Sequence, residues 1–427
     1  MTVLARRPSR RRASAGASGP IRRALGPDLI RRLNELCERG RAEGPMDLLR
    51  DYAAVAATAA VGTFVGNPVL TGLCVIYVGV RQRHLSNLAH ECIHTKLTRS
   101  RRANTILGHL ITLTLGEPFT PYKRSHRIHH ARLASPDDPM LRSYITRNVH
   151  SPWRDKAAFV THVIIKNAVW ELPKHGFLTL AARSDEESWK AAATRWAAWT
   201  AAAAVTAATG HLATFALYWA IPLIVVRPVI TWLTDLGNHA GLIESNDPIM
   251  QTRGWSSHTL TRHLLGGHND DMYHPIHHWC PNIPWRQLPD AAAILAADFP
   301  RWLQVPWRSG FFFRRRSTRH IPCVLDDIVA RLETRYLPTS RHPDRHGACR
   351  ADQSTLGATL PRSCESLHPT PEQDTHVPAR LRRKQLRRVD PSARSHRRRA
   401  RFLHLPRPGL LVSAVLPRQR PSHPGPW

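Results

Sequence analysis

At 427 residues and a formal charge of +30, the chain has room for one large domain with extensions, and its basicity first suggests nucleic-acid binding. Much of the excess charge, however, lies in two flanks, at Arg6, Arg7, Arg10, Arg11 and Arg12 and again from Arg380 to Arg401, which argues against a folded basic patch, so no nucleic acid is expected as a partner. The seven cysteines, at 37, 74, 92, 280, 323, 349 and 364, are scattered and include no C-x-x-C pair, which excludes a disulfide framework and fits reduced thiols.

No short apolar run with a small-residue cleavage site follows the first arginines, so no cleaved signal peptide is expected. Residues 1–46 read as a basic segment. The first apolar block runs from Tyr52 to Val80 and is broken only by Gly66, Asn67 and Pro68, which predicts a helical hairpin with its turn there. Ala103 to Leu115 is too short to cross a bilayer, which takes about 20 residues, and reads as an interfacial or re-entrant element. Residues 139–190 mix apolar runs with Trp153, Lys156, Lys166 and Lys190 and read as lying in the cytoplasm or at the membrane interface. A second apolar block from Ala191 to about Leu236 turns at Gly210 and His211.

Two hairpins predict an all-α integral membrane fold with about four transmembrane helices. Both termini and a helical cap then lie on one side, which the basic flanks mark as cytoplasmic. A short helix is expected within NIPWRQLPDAAAILAADF and an amphipathic one over residues 322–336. The membrane domain is placed at residues 47–338. Residues 339–427, rich in Arg and Pro, cannot bury a core and read as a disordered tail.

Histidines carry the chemistry. They cluster as HECIH (His90, His94), HRIHH (His126, His129, His130) and HPIHH (His274, His277, His278). Positions i, i+3 and i+4 share a helix face, so each cluster can aim its rings at one point, and neutral imidazole is a common transition-metal ligand. An all-imidazole set argues against structural zinc and iron–sulfur clusters and favours redox-active iron. Two irons would use about nine protein groups, and His239, at the end of the last span, is a candidate for the ninth. Asp235, one turn earlier, is a candidate to orient a ligand or a water on the metal.

With these residues in view, the chain resembles the membrane-bound fatty acid desaturase family over about residues 50–305. The resemblance rests on RQRHLSNLAHECIH, RSHRIHHARLASPDDP and NDDMYHPIHHWCPNIPW. It implies a four-span fold and two non-haem iron ions held by His90, His94, His126, His129, His130, His274, His277 and His278. His239 corresponds to the histidine that acyl-CoA members carry after the last span. His84 and His268 lie near the boxes and are kept as possible neighbours of the ligands. The activity implied is O2-dependent desaturation of an acyl chain presented by a lipid or an acyl carrier, in what reads as a bacterial cell membrane.

No HPGG haem-binding sequence and no ferredoxin-type cysteine run occurs, so a separate electron donor such as ferredoxin or cytochrome b5 is expected. Hydroxylation or ketolation of an acyl chain or carotenoid is the nearest alternative. HECIH also satisfies the H-E-x-x-H pattern of zinc proteases, with Glu91 as base, but that reading leaves both HxxHH clusters without a role. A metal transporter would place its ligands near the bilayer midplane, whereas these lie beyond the span ends.

Overall fold

The computed structural model describes residues 18–38, 43–151, 153 and 155–336. The first arginines, the boundary after residue 338 and the tail from 339 lie outside the described residues. The described residues are mostly helical, as the sequence predicts, with one short parallel pair of strands, β1 (Gly254–Ser256) and β2 (Trp307–Ser309).

Helices α1 (Ser18–Leu25) and α2 (Pro27–Glu35) show why the start of the chain is more than a charged leader. Ile21, Leu25, Leu29, Leu33 and Leu36 recur every three to four residues, and all are buried against Ile276, Trp279, Ile283, Leu288 and Leu295. The arginines between them face outward and hide the apolar stripe from a reading by composition.

The first hairpin consists of α3 (Gly44–Val65) and α4 (Pro68–Ile93). Gly66 ends α3 in the left-handed conformation, φ 64°, where glycine carries no Cβ penalty. Asn67 caps α4 by accepting from the backbone N–H groups of Val69 and Leu70 at 3.0 and 3.1 Å, and Pro68 fits the first turn, where no N–H is needed. Along α4 the environment changes. Val69, Leu73, Ile76 and Tyr77 are exposed, whereas the polar residues Gln82, Arg83, His84, Ser86, Asn87, His90 and Glu91 are all buried. The helix therefore runs from an apolar surface into the cap.

Helices α5 (Arg101–Thr114), α6 (Phe119–Ala131) and α7 (Pro139–Thr146) follow. The helical stretch α8, residues 156–181, leaves Ile165, Val169, Trp170, Phe177 and Leu178 exposed, a pattern that suits an interfacial element. The second hairpin pairs α9 (Trp189–Ala208) with α10 (Leu212–His239) through Thr209–His211, with Gly210 at φ 76°. Pro222 and Pro228 lie within α10 and supply no N–H, and two stretches before Arg227, Ala216–Ala220 and Pro222–Val226, widen into π-helix.

Two helices, α3 and α10, are long and apolar enough to cross a membrane, with only 17% and 28% of their apolar windows buried. Core helices of a soluble protein would be largely covered. Their hairpin partners, α4 and α9, do not reach the same apolarity.

The cap comprises α11 (Thr259–Leu264), α12 (Asn269–Met272), α13 (His274–Trp279), α14 (Leu288–Asp298) and α15 (Val324–Tyr336). The fully buried Arg253 closes the end of α10 by donating to the carbonyls of Gly237 and Ala240 at 2.7 and 2.9 Å. Asp327 of α15 holds that guanidinium at 2.7 Å and also pairs with Arg308 and Arg331. The orphan carbonyls at a helix end are thus satisfied beside His239.

Candidate metal centre

Four helix segments bring nine imidazoles together. Helix α4 ends in His90 and His94, α6 carries His126, His129 and His130, α10 ends at His239, and α13 carries His274, His277 and His278. Their nitrogens fall into two groups, His90, His94, His126, His130 and His277 in one and His129, His239, His274 and His278 in the other, with all ligand atoms of a group within 4.8 Å of one another.

The sequence reading of one focus per cluster needs correction. Helix α6 sends His126 and His130 to the first group and His129 to the second, and α13 divides likewise between His277 and the pair His274 and His278. A step of about 100° per residue puts i and i+4 roughly 40° apart and swings i+3 to the other side. An HxxHH helix wedged between two foci therefore serves both.

Within the first group, Nε2 of His126 lies 2.9 Å from that of His90 and 2.8 Å from that of His94, and His130 and His277 meet at 3.0 Å. In the second, His239 lies 3.2 Å from His129 and 2.8 Å from His274, which lies 3.1 Å from His278. Metal–nitrogen bonds of about 2.1 Å put neighbouring ligand nitrogens about 3 Å apart, so the spacing fits two metal ions.

The outer nitrogens have their own partners. Nδ1 of His90 faces Asp270 at 3.1 Å, that of His129 faces Asp138 at 2.8 Å, and those of His239 and His274 face the carbonyls of Gln251 and Asp270, both at 3.1 Å. Each acceptor holds the proton on Nδ1 and leaves the Nε2 lone pair turned inward. Burial lowers the pKa of His126, His130, His277 and His278 well below the usual imidazole range and pushes His274 down to about 3. These rings stand neutral, the form that binds a metal.

Asp138 and Asp270 were not singled out from the sequence, although both belong to acidic pairs beside the histidine boxes. Asp138 also caps α7, accepting from the N–H groups of Met140 and Ala134 at 2.9 and 3.1 Å. Asp270 is held by Lys96, which is fully buried and lies 3.3 Å from it and 2.6 Å from Glu91. Burial alone would raise the Asp270 carboxyl, but Lys96 and the neighbouring histidines outweigh it and hold it well below the ordinary range. Burial likewise works against the Lys96 ammonium, and Asp270 and Glu91 outweigh it and raise its pKa.

Glu91, the candidate protease base, also accepts from the Trp285 N–H at 3.3 Å. It serves as a partner of Lys96 and of the NIPW turn. His84 pairs with Asp51 at 2.5 Å, and His268 stacks on Trp285 and stands 3.7 Å from Asp270. Neither belongs to the two histidine groups.

A cavity of about 200 Å³ lies against His90, His126, His129, His239 and His274, and its lining also includes Arg83 and Asn87 of α4, Tyr122 of α6, Asp235 of α10, and Asp271. Asp235 therefore faces the cavity, and its carboxylate makes no hydrogen bond to a histidine among the described residues.

The sequence profile of fatty acid desaturases matches residues 66–311, more than half of the chain and all nine histidines. This chain belongs to the fatty acid desaturase family. It is similar to the dihydrorhizobitoxine desaturase of Bradyrhizobium elkanii, with 28% identity over 268 residues, 60% of this chain and 76% of that protein. It is also similar to a chloroplastic omega-3 fatty acid desaturase of Ricinus communis and to the sn-2 acyl-lipid omega-3 desaturase (ferredoxin) of Arabidopsis thaliana. Each is 24% identical, and the chain spans 61% and 63% of their lengths. As a fatty acid desaturase family member, the protein is an oxidoreductase of the desaturase type.

Proposed function

We propose that this desaturase introduces a double bond into its substrate at a di-iron centre, using O2 and electrons from a separate carrier. His90, His94, His126, His130 and His277 would hold one iron, and His129, His239, His274 and His278 the other. Bound there, the iron pair supplies the O2-dependent oxidation that breaks unactivated C–H bonds. In balance, two hydrogens leave adjacent carbons, two electrons come from the carrier, two protons are taken up, and O2 leaves as two waters. The observation that carries this reading is the convergence of nine inward-facing imidazole nitrogens in two sets.

The chain's own part is to hold that set rigid and dry. Asp138 and Asp270 fix ring orientation, and Lys96 keeps the Asp270 carboxylate in place. The buried walls exclude bulk water, which protects a strong oxidant from side reactions.

We further propose four spans, α3, α4, α9 and α10, with the cap and both termini in the cytoplasm of a bacterial cell and the carrier docking from that side. A separate ferredoxin is supported by the Arabidopsis relative, whose name carries that donor. An acyl chain is the substrate expected from the family, and it needs an apolar passage to the centre. The cavity against the histidines exposes mostly apolar surface, with Asp235 among its lining residues.

Expression of the full chain with ferredoxin and its reductase, followed by mass spectrometry of lipids and polar metabolites, tests the reaction. A product lighter by two hydrogens is expected. A product heavier by one oxygen would assign the hydroxylase or ketolase chemistry of the alternative reading.

A further inference from the structure

Two helices, α6 and α13, send histidines to both groups, and they differ in what covers them. In α13, Pro275, Ile276, His277, His278 and Trp279 are all buried. Helix α6 keeps an open side. A step of about 100° per residue sets Arg124, Arg127 and Ala131 roughly opposite the arc of His126, His129 and His130, and all three are exposed.

That open side is charged with one sign. Between Glu117 and Asp137 the chain carries four cations, Lys123, Arg124, Arg127 and Arg132, and no carboxylate, and the four line one groove on the outside of the helix. Two flanking acids are turned elsewhere, Glu117 to Arg227 at 2.7 Å and Asp138 to His129. Arg132 meets Asp137, and Arg124 stands 3.7 Å from Glu186, but both pairs are exposed, where an ion pair contributes little. Lys123 and Arg127 have no carboxylate partner among the described residues. Partial burial and then the Arg127 guanidinium lower the Lys123 pKa, as two like charges held near each other would. Such a groove raises the local concentration of an anionic partner and speeds its encounter.

The partner that fits is a protein rather than a lipid surface. A helix lying on a bilayer exposes large apolar side chains beside its cations, as α8 does with Ile165, Val169 and Trp170. Among the described residues, no exposed large apolar side chain belongs to α6.

We propose that the outer face of α6 is the docking surface for the electron carrier, a small acidic iron–sulfur protein whose carboxylates pair with Lys123 and Arg127. A carrier seated there stands about one helix diameter, 10–12 Å, from imidazoles of both groups. The proposal rests on the di-iron reading, which is what calls for a carrier, and it assigns that carrier its place on the chain.

Calorimetric titration of the full chain, in nanodiscs of phosphatidylcholine alone, with a plant-type 2Fe–2S ferredoxin tests it, whether or not iron is present. Binding is expected to weaken as salt rises from about 50 to about 500 mM. Lys123→Glu combined with Arg127→Glu should weaken it at least tenfold at the lower salt, and Lys123→Gln with Arg127→Gln at least threefold if the reversed variant fails to fold. The same reversal at Arg316 and Arg319, exposed cations of the cap, should change it less than twofold. No ferredoxin binding, binding indifferent to Lys123 and Arg127, or an equal loss from the control pair would overturn the proposal. So would a Lys123 and Arg127 variant that loses co-purifying phosphatidylglycerol, seen by native mass spectrometry, and still binds ferredoxin, since the groove would then be a lipid site. Iron content of the same preparations keeps the two readings apart. Ferredoxin binding at this face by a chain that cannot be loaded with iron removes the di-iron reading, and two irons with binding indifferent to these residues remove this one.

Discussion

Lys96→Met is the substitution whose effect follows most directly from the packing. The ammonium is completely buried between Glu91 at 2.6 Å and Asp270 at 3.3 Å, and both acceptors are buried as well. Methionine fills much of the same volume but leaves two carboxylates, within 4.8 Å of each other, without their shared cation. Removing one partner of a buried ion pair costs about 3–5 kcal/mol, and a domain of this size loses about 2–4 °C of melting temperature per kcal/mol, so the unfolding midpoint should fall by about 10 °C. Tryptophan fluorescence in detergent at one fixed scan rate measures it, since membrane proteins often unfold irreversibly. Adding Glu91→Gln to the same chain removes one stranded charge and should recover at least about 1 kcal/mol, a non-additivity expected of groups in contact. A single variant melting within about 2 °C of the parent, with no recovery in the double variant, would refute the assignment of Lys96 as the cation that holds this site together.

Asp138→Asn should weaken iron binding about 10- to 100-fold, because Asp138 fixes the His129 ring; metal titration of the refolded or stripped protein would show it, and an unchanged affinity would leave Asp138 as a helix cap only. Leu33→Ala should cost about 2–5 kcal/mol, since Leu33 is 1% exposed in the core that joins α2 to the cap; a negligible change in the melting midpoint would show that the N-terminal helices do not share the fold's stability. Asp327 is buried, which alone would raise its carboxyl, but Arg253, Arg308 and Arg331 outweigh this and push it down to about 2. A depressed carboxyl stabilises above its unfolded pKa and loses that contribution as pH falls through the folded value, here about 2.5 kcal/mol. The stability gap between parent and Asp327→Asn should therefore be constant from pH 7 to about 5 and close between about pH 4 and 2; a gap that closes near pH 6 instead would point to a histidine.

The helices that carry the chemistry were legible because their signals are local. HxxHH fixes a shared face, and Gly66-Asn67-Pro68 and Gly210-His211 are turn chemistry that needs no tertiary context. His239 was legible from its place just after the last apolar run. The division of the rings was not, because the same 3.6-residue period that gathers three histidines on one face also lets His129 lean away from His126 and His130. That choice depends on where α10 and α13 end in space. Asp138 and Asp270 were hidden for a related reason: a carboxylate that serves a ring looks like an ordinary helix cap until the ring's outer nitrogen is seen to face it. The first two helices were masked by their arginines, and the meeting of Asp235 with Arg83 and Asp271 around one cavity could not be read, since the three lie on separate elements.

The account stands on two metal ions between nine imidazoles, and metal analysis with Mössbauer spectroscopy of the full chain, purified from cells grown with iron-57, tests that directly. Two irons per chain in two distinct nitrogen-rich environments are predicted. A single zinc per chain, or a preparation that stays folded and cannot be loaded with iron, would contradict it.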